Sequence, residues 1–275
     1  MDTGLIERLI ELTRQAGDAI LKIYETDFVV ETKADASPLT QADLAAQRII
    51  ETGLSELTPD IPVISEESDP PEYSIRRDWR RYWLVDPLDG TKEFVNRNGE
   101  FTVNIALIED QVPTFGVVGV PVQAIVYTGD SALGAFRHDA QGSQKLTGRP
   151  MVEGRPVVVV ASRSHGGERL TSYLDALADR FGAVERTPVG SSLKLCILAE
   201  GRADLYPRLG PTSEWDIAAA HAVLSAAGGA LWAVDGKRLS YNSKTSFLNP
   251  EFFAVADAKF AWQQALPPVP ERNGI

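Results

Sequence analysis

Two aspartates three positions apart, Asp86 and Asp89, close the run Trp83-Leu84-Val85-Asp86-Pro87-Leu88-Asp89-Gly90-Thr91-Lys92-Glu93-Phe94. The apolar, aromatic start reads as a buried strand that ends on the first carboxylate. Pro87 fixes its own φ, and Gly90 permits backbone conformations that a Cβ forbids. The pair of acids is therefore expected on a tight turn, where both are hard oxygen ligands for a divalent cation. Gly90-Thr91 adds backbone N–H groups and a hydroxyl, the groups that hold phosphate. The same Asp-x-x-Asp-Gly spacing also closes ordinary surface turns. This stretch alone leaves both readings open.

Three further acids stand at predicted element ends. Glu66 follows the strand-like Ile61-Pro62-Val63-Ile64-Ser65. Asp216, in Glu214-Trp215-Asp216, opens an Ala-rich helix. It is either a first-turn acid favoured by the helix dipole or a cation ligand. Asp43 lies in Thr40-x-x-Asp43, a capping-box pattern that explains it without any catalysis. Glu66, Asp86, Asp89 and Asp216 together could bind two or more Mg²⁺ ions.

The 275-residue chain is 44% hydrophobic and 24% charged, ordinary values for a globular protein. Its net charge of −11 argues against nucleic acid as the main partner. It also means that a phosphorylated substrate needs cations to reverse the local sign. The single cysteine, Cys196, sits in an apolar run and suits a reducing, cytoplasmic compartment. The N-terminus lacks the pattern of a signal peptide. The near-apolar window from Ile217 to Val234 contains His221 and reads as a buried helix, a Gly turn and a strand. It is not expected to span a membrane. Peripheral contact with the inner membrane stays open at this stage, as does the choice between monomer and homodimer.

Elements must position these residues. Leu5, Leu9, Leu12, Ala16, Ile20 and Ile23 predict an amphipathic helix over 3–25. Phe28 to Lys33 predicts a strand. A second helix follows Thr40, with Ala42, Ala45, Ala46, Ile49 and Ile50 inside. After Phe94, strand-like segments at 101–108, 115–120, 124–128 and 132–136 predict an antiparallel sheet. Residues 139–154, Gly-rich and polar, mark a boundary between an N-terminal α+β subdomain, 1–155, and a C-terminal α/β subdomain, 156–275. The second half alternates strand and helix from Pro156 to Val234. The Pro-rich tail from Leu266 reads as mobile. His138 reads as a surface residue and His221 as a core one.

The motifs form an ordered set. Ser37-Pro38-Leu39-Thr40-x-Ala42-Asp43 is followed by Ser65-Glu66-Glu67-Ser68. Asp86-Pro87-Leu88-Asp89-Gly90-Thr91 comes next, then Trp215-Asp216-x-Ala218-Ala219. This set resembles the inositol monophosphatase superfamily. Within it, Gly90-Thr91-Lys92-Glu93-Phe94 and Arg97-Asn98-Gly99-Glu100-Phe101-Thr102-Val103-Asn104 resemble the 3′(2′),5′-bisphosphate nucleotidases of the CysQ type. The resemblance runs from the first helix to about Asn249-Pro250. It implies the sugar-phosphatase fold, a mixed α/β architecture of alternating α/β/α/β/α layers. It also implies Glu66, Asp86, Asp89, Asp216 and the Leu88 carbonyl as ligands for two or three Mg²⁺ ions, with sensitivity to lithium.

By the same resemblance, Asp43 and Thr91 activate the attacking water, and the Gly90 and Thr91 amides contact phosphate. His165, Ser191, Lys194 and Arg208 hold the rest of a bisphosphate nucleotide. Cations at these places suit a second phosphate on chemical grounds too. The acidic loop departs from the expected pattern. It reads Glu-Glu-Ser-Asp-Pro-Pro where a shorter Glu-Glu-Asp-Pro-Pro is expected.

Phosphate monoesters hydrolyse very slowly unaided, and enzymes accelerate them by up to about 10²¹. In-line attack by an activated water, with no phosphoenzyme, is the expected course. The expected substrate is adenosine 3′,5′-bisphosphate, cleaved to AMP and phosphate, which clears a by-product of sulfate activation. Two alternatives remain: an inositol or sugar monophosphatase, and a catalytically silent metal- or nucleotide-binding regulator.

Overall fold

Helix α1 (Thr3–Tyr24) forms where apolar residues recur at helical spacing. Asp2 caps it by accepting from Leu5 N, and Leu9, Leu12, Ala16 and Ile20 are buried. Strands β1 (Val30–Thr32) and β2 (Pro38–Thr40) pair antiparallel. Helix α2 (Gln41–Leu57) then starts at Thr40 with a full capping box, Asp43 supplying the reciprocal bond. The computed structural model describes residues 1–32, 38–152, 154–161 and 167–271.

The first sheet has seven strands. Strand β3 (Val63–Ser65) precedes the short helix α3 (Tyr73–Arg76) and strand β4 (Arg81–Asp89). Helix α4 (Thr91–Val95) leads to β5 (Thr102–Glu109), β6 (Val112–Val120), β7 (Ile125–Asp130), β8 (Gly134–Asp139) and β9 (Gly142–Leu146). Their order in the sheet is the order in the chain. β3 runs parallel to β4, and the rest is an antiparallel meander.

One expectation changes here. β4 does not stop at Asp86. It continues to Asp89 through a bulge, with Asp86 opposite Asn104 and Asp89 opposite Thr102. Pro87, lacking an N–H, fits the irregular stretch between them. Within the Gly-rich, polar residues 139–154, β9 forms the last strand of this sheet. Its side chains are exposed apart from Leu146, so no apolar alternation announced it.

The second half supplies β10 (Val157–Ala161), α5 (Gly167–Phe181), β11 (Val184–Pro188), α6 (Leu193–Ala199) and β12 (Leu205–Arg208). It continues with α7 (Glu214–Ala226), β13 (Ala230–Ala233), β14 (Phe252–Val255) and α8 (Trp262–Ala265). The strands form a mixed sheet in the order β11-β10-β12-β14-β13.

Three apolar clusters define the layers. One joins α1 and α2 to a face of the first sheet through Leu9, Ile50, Trp83 and Ile105. The next sandwiches α6 and α7 between the two sheets. The last packs Tyr173 and Leu177 of α5, with Trp262 of α8, on the far face of the second sheet. The sequence is thus α/β/α/β/α. Helix α7 lies so close to β6 that a Cβ on Gly116 would sit 2.1 Å from Ala219 O. That contact requires glycine.

The tail is held as far as it is described. Leu266 and Val269 pack against the third cluster, and Arg169 Nε donates to Pro270 O at 2.7 Å. Prolines remove donors but not packing surface, so composition alone misleads here. His221 is buried as expected, bonded to Tyr241 Oη. His138 is half-buried on β8 and bonded to Thr128. Among the described residues no helix is long and apolar enough to cross a membrane.

Candidate active site

The bulge of β4 makes the site. Asp86 is 1% exposed, and its Oδ1 accepts from Leu88 N at 3.0 Å, an Asx turn inside the strand end. Gly90 follows with φ 90°, a left-handed conformation that glycine adopts freely, and α4 starts at Thr91. Glu66 is brought alongside because β3 pairs in parallel with β4 and Glu66 N donates to Val85 O at 3.1 Å. Asp216 arrives from the other half of the chain, at the third position of α7. Its Oδ2 accepts from Ser213 N at 2.9 Å, so the residue is a helix cap as well as a wall of the site.

Glu66, Asp86 and Asp216 each offer an oxygen within 4.8 Å of the others. Asp89 stands beside this group, close enough for its charge to act on both Asp86 and Asp216. Its Oδ2 accepts from Ser192 N and faces Thr102 Oγ1 at 3.4 Å. All four acids still line one cleft of about 360 Å³, with Leu88, Gly90, Thr91, Ser191, Lys194 and Arg208.

Burial, then the charges of Glu66, Asp89 and Asp216, push the Asp86 carboxyl well up. Burial and then Asp89 do the same to Asp216. Burial raises Asp89 to about 6, against the pull of Lys194 and the Ser192 N–H. Hard oxygens that repel one another in a buried cleft fit a divalent cation, which removes the repulsion.

Asp43 is fully buried behind the cleft. Its Oδ2 takes the Thr40 N–H at 2.8 Å and hydroxyl at 2.7 Å, while Oδ1 faces Thr91 Oγ1 at 3.3 Å. Thr91 Oγ1 also lies 3.4 Å from Leu88 O. The cap and the catalytic reading of Asp43 are therefore compatible, because they use different oxygens.

The opposite wall carries the cations. Ser191, with φ 47°, and Lys194 flank the start of α6, and Arg208 ends β12. Lys194 is 5% exposed and donates to Ser191 O at 2.6 Å and Val189 O at 3.3 Å. Burial lowers its pKa to about 8. Arg208 Nη2 donates to Pro211 O, while its buried Nε has no partner among the described residues. A buried donor left unpaired is costly, and an arriving anion would satisfy it. His165 lies outside the described residues.

Motif reading missed the supports. Ser192 Oγ bonds Thr102 Oγ1 and Asn104 Oδ1, each at 2.8 Å, and so aims its own N–H at Asp89. Gly190 N donates to Glu100 Oε2 at 2.7 Å, tying the same loop to the first half. Only pairs distant in sequence are involved, so spacing carried no signal. The longer acidic loop is also accommodated, since Ser68 is gripped by Gln47 and Glu51.

Comparison with known proteins agrees with this geometry. The model of the inositol monophosphatase family matches residues 2–263. A 3′(2′),5′-bisphosphate nucleotidase CysQ of Salmonella typhimurium is 50% identical over 250 residues, 90% of this chain and 98% of that one. Its counterpart in Escherichia coli strain K12 is 48% identical over the same coverage. The crystal structure of CysQ from Bacteroides thetaiotaomicron, described as a bacterial member of the inositol monophosphatase family, superposes with a TM-score of 0.80. It shares 41% identity and covers 92% of this chain and 97% of its own. That family is metal-dependent, and this cleft has the acidic cluster such a site needs. With its α/β/α/β/α layers, its bulged Asp86–Asp89 strand end and near-complete coverage, the chain belongs to the inositol monophosphatase family.

Proposed function

We infer that this protein is a Mg²⁺-dependent phosphomonoesterase that removes the 3′-phosphate of adenosine 3′,5′-bisphosphate, releasing AMP and phosphate. One observation carries the reading: a single cleft has carboxylates on one wall and, on the other, Lys194 with Arg208, whose Nε has no partner among the described residues. A substrate with two phosphates uses both walls, one phosphate through cations and one through basic side chains. The names of the relatives at about 50% identity point the same way. In that setting the reaction serves sulfur assimilation, by clearing the bisphosphate left after sulfate transfer.

Glu66, Asp86, Asp89, Asp216 and the Leu88 carbonyl would hold the metal, two or three ions by the family resemblance. Bound Mg²⁺ supplies Lewis-acid polarisation of the phosphoryl group and neutralises charge on the departing ribose oxygen. The chain's own groups do the rest. A proton from the attacking water passes to Thr91 Oγ1, whose own proton moves to Asp43 Oδ1. The Gly90 and Thr91 amides hold phosphoryl oxygens. Ser191, Lys194 and Arg208 hold the second phosphate and the nucleoside, and His165 joins them on the resemblance alone. A silent regulator would have no use for the Asp43–Thr91 contact.

Parallel assays of phosphate release with Mg²⁺ test the reading, one on adenosine 3′,5′-bisphosphate and one on inositol 1-phosphate. Preference for the bisphosphate is expected. Preference for the inositol ester would sink the nucleotidase assignment, and no turnover of either would favour the regulator.

A further inference from the structure

Gln47 lies one helical turn after Asp43 on the buried side of α2 and is 6% exposed. In front of it, Ser68 N donates to Ser65 O at 3.3 Å, which closes a four-residue turn with Glu66 and Glu67 at its centre. Gln47 holds both ends of that turn. Ser65 Oγ donates to Gln47 Oε1, and Gln47 Nε2 donates to Ser68 Oγ. The second Nε2 hydrogen reaches Glu51 Oε1 at 2.8 Å, and Ser68 Oγ donates to that same oxygen at 2.7 Å. The amide and both hydroxyls are thereby satisfied, and none is left to rotate.

We propose that Gln47 is a positioning residue that aims Glu66 at Asp86 and Asp216, so that the metal affinity of the cluster depends on it. The inference rests on the metal reading of Glu66. The backbone of Glu66 is tied to the neighbouring strand by its bond to Val85 O. The turn that follows carries its carboxylate, and Gln47 grips that turn at both ends. An amide suits the place because it accepts from Ser65 and donates to Ser68 without adding charge beside repelling carboxylates. Helix α2 then sets two parts of the site at once, Asp43 against Thr91 and, four residues on, Gln47 against the Glu66 turn.

The test uses Mn²⁺ as the probe, its binding to the full chain titrated by EPR without substrate. Gln47→Met should raise the Mn²⁺ dissociation constant about tenfold, as loss of support behind a ligand does. Ser68→Ala, which removes one arm of the clamp, should raise it about threefold. The Mg²⁺ concentration for half-maximal phosphate release should shift in parallel, with turnover recovered at high Mg²⁺. In a Glu66→Gln background, Gln47→Met should cause no further change. A folded Gln47→Met variant with a lowered Tm but unchanged Mn²⁺ affinity would show the clamp to be structural only. Additive losses in the Glu66→Gln background would show that Gln47 does not act through Glu66. If Gln47→Met does not fold, Ser68→Ala decides alone. Failure of the unsubstituted protein to bind Mn²⁺ overturns the metal reading itself, and this inference with it.

Discussion

The acidic wall of the cleft hangs on the nine-residue strand β4, which lies between β3 and β5 with packed side chains on both faces. The basic wall stands on shorter pieces, the seven-residue α6 and the four-residue β12. Their charges are also treated differently. Asp86 and Asp216 are held where burial and like charge oppose ionisation. Lys194 instead spends its hydrogens on Ser191 O and Val189 O, fastening the loop that carries it. A rigid frame can hold mutual repulsion until a cation relieves it, and on the short one the Lys194 amine ties the loop by hydrogen bonds although burial opposes its charge. On the first wall like charges are opposed to one another, and on the second a buried cation is opposed by its own burial.

Asp86→Asn tests that contrast most strongly. Turnover should fall by about 10³-fold or more, the several kcal/mol that a bound cation contributes to the transition state. In EDTA the variant should melt no lower than the parent, because a repelled buried carboxylate has been removed. Near-normal activity would refute the metal assignment, and a collapse in Tm would refute the stored repulsion. Arg208→Ala comes next. With the Nε donor gone, KM for adenosine 3′,5′-bisphosphate should rise about 10- to 100-fold, the range for a charge-assisted hydrogen bond. Any turnover of inositol 1-phosphate should change much less. Equal losses on both substrates would mean that Arg208 supports the cleft rather than a second phosphate.

Lys194 gives the smallest effect and a sign check. Its folded pKa of about 8 lies below its ordinary 10.5. Between those values the unfolded chain binds the proton and the folded chain does not, so stability should rise with pH across that window. The cation is lost from the cleft over the same range. KM for the bisphosphate should therefore rise roughly tenfold from pH 7 to 9 while Tm, followed in parallel, holds or increases. In Lys194→Met both trends should flatten. A KM that ignores pH in the parent would remove Lys194 from the phosphate grip.

Much of the frame is local and was legible. The spacing of Leu9, Leu12, Ala16 and Ile20 predicts α1, and Thr40-x-x-Asp43 predicts the start of α2, because helices are specified by contacts three and four residues apart. The polar edge strand β9 and the held tail were not legible. Their stability comes from a neighbouring strand and from Arg169, not from their own pattern. The four cleft acids were named from motifs, yet the partners of each were not. Asp89 turns to Ser192, more than a hundred residues away in the chain, and leaves Glu66, Asp86 and Asp216 as the convergent set.

By itself, then, the sequence determined the residue types, their order, the main helices and strands, and through the motif set the family. Only the tertiary structure decided which oxygens converge, that Asp43 caps a helix with one oxygen and meets Thr91 with the other, that Gln47 bonds Ser65 and that Ser192 N–H meets Asp89. The physical reason is range. Propensity and capping act within a turn of helix, whereas a cleft between two sheets is made of contacts that no local pattern encodes.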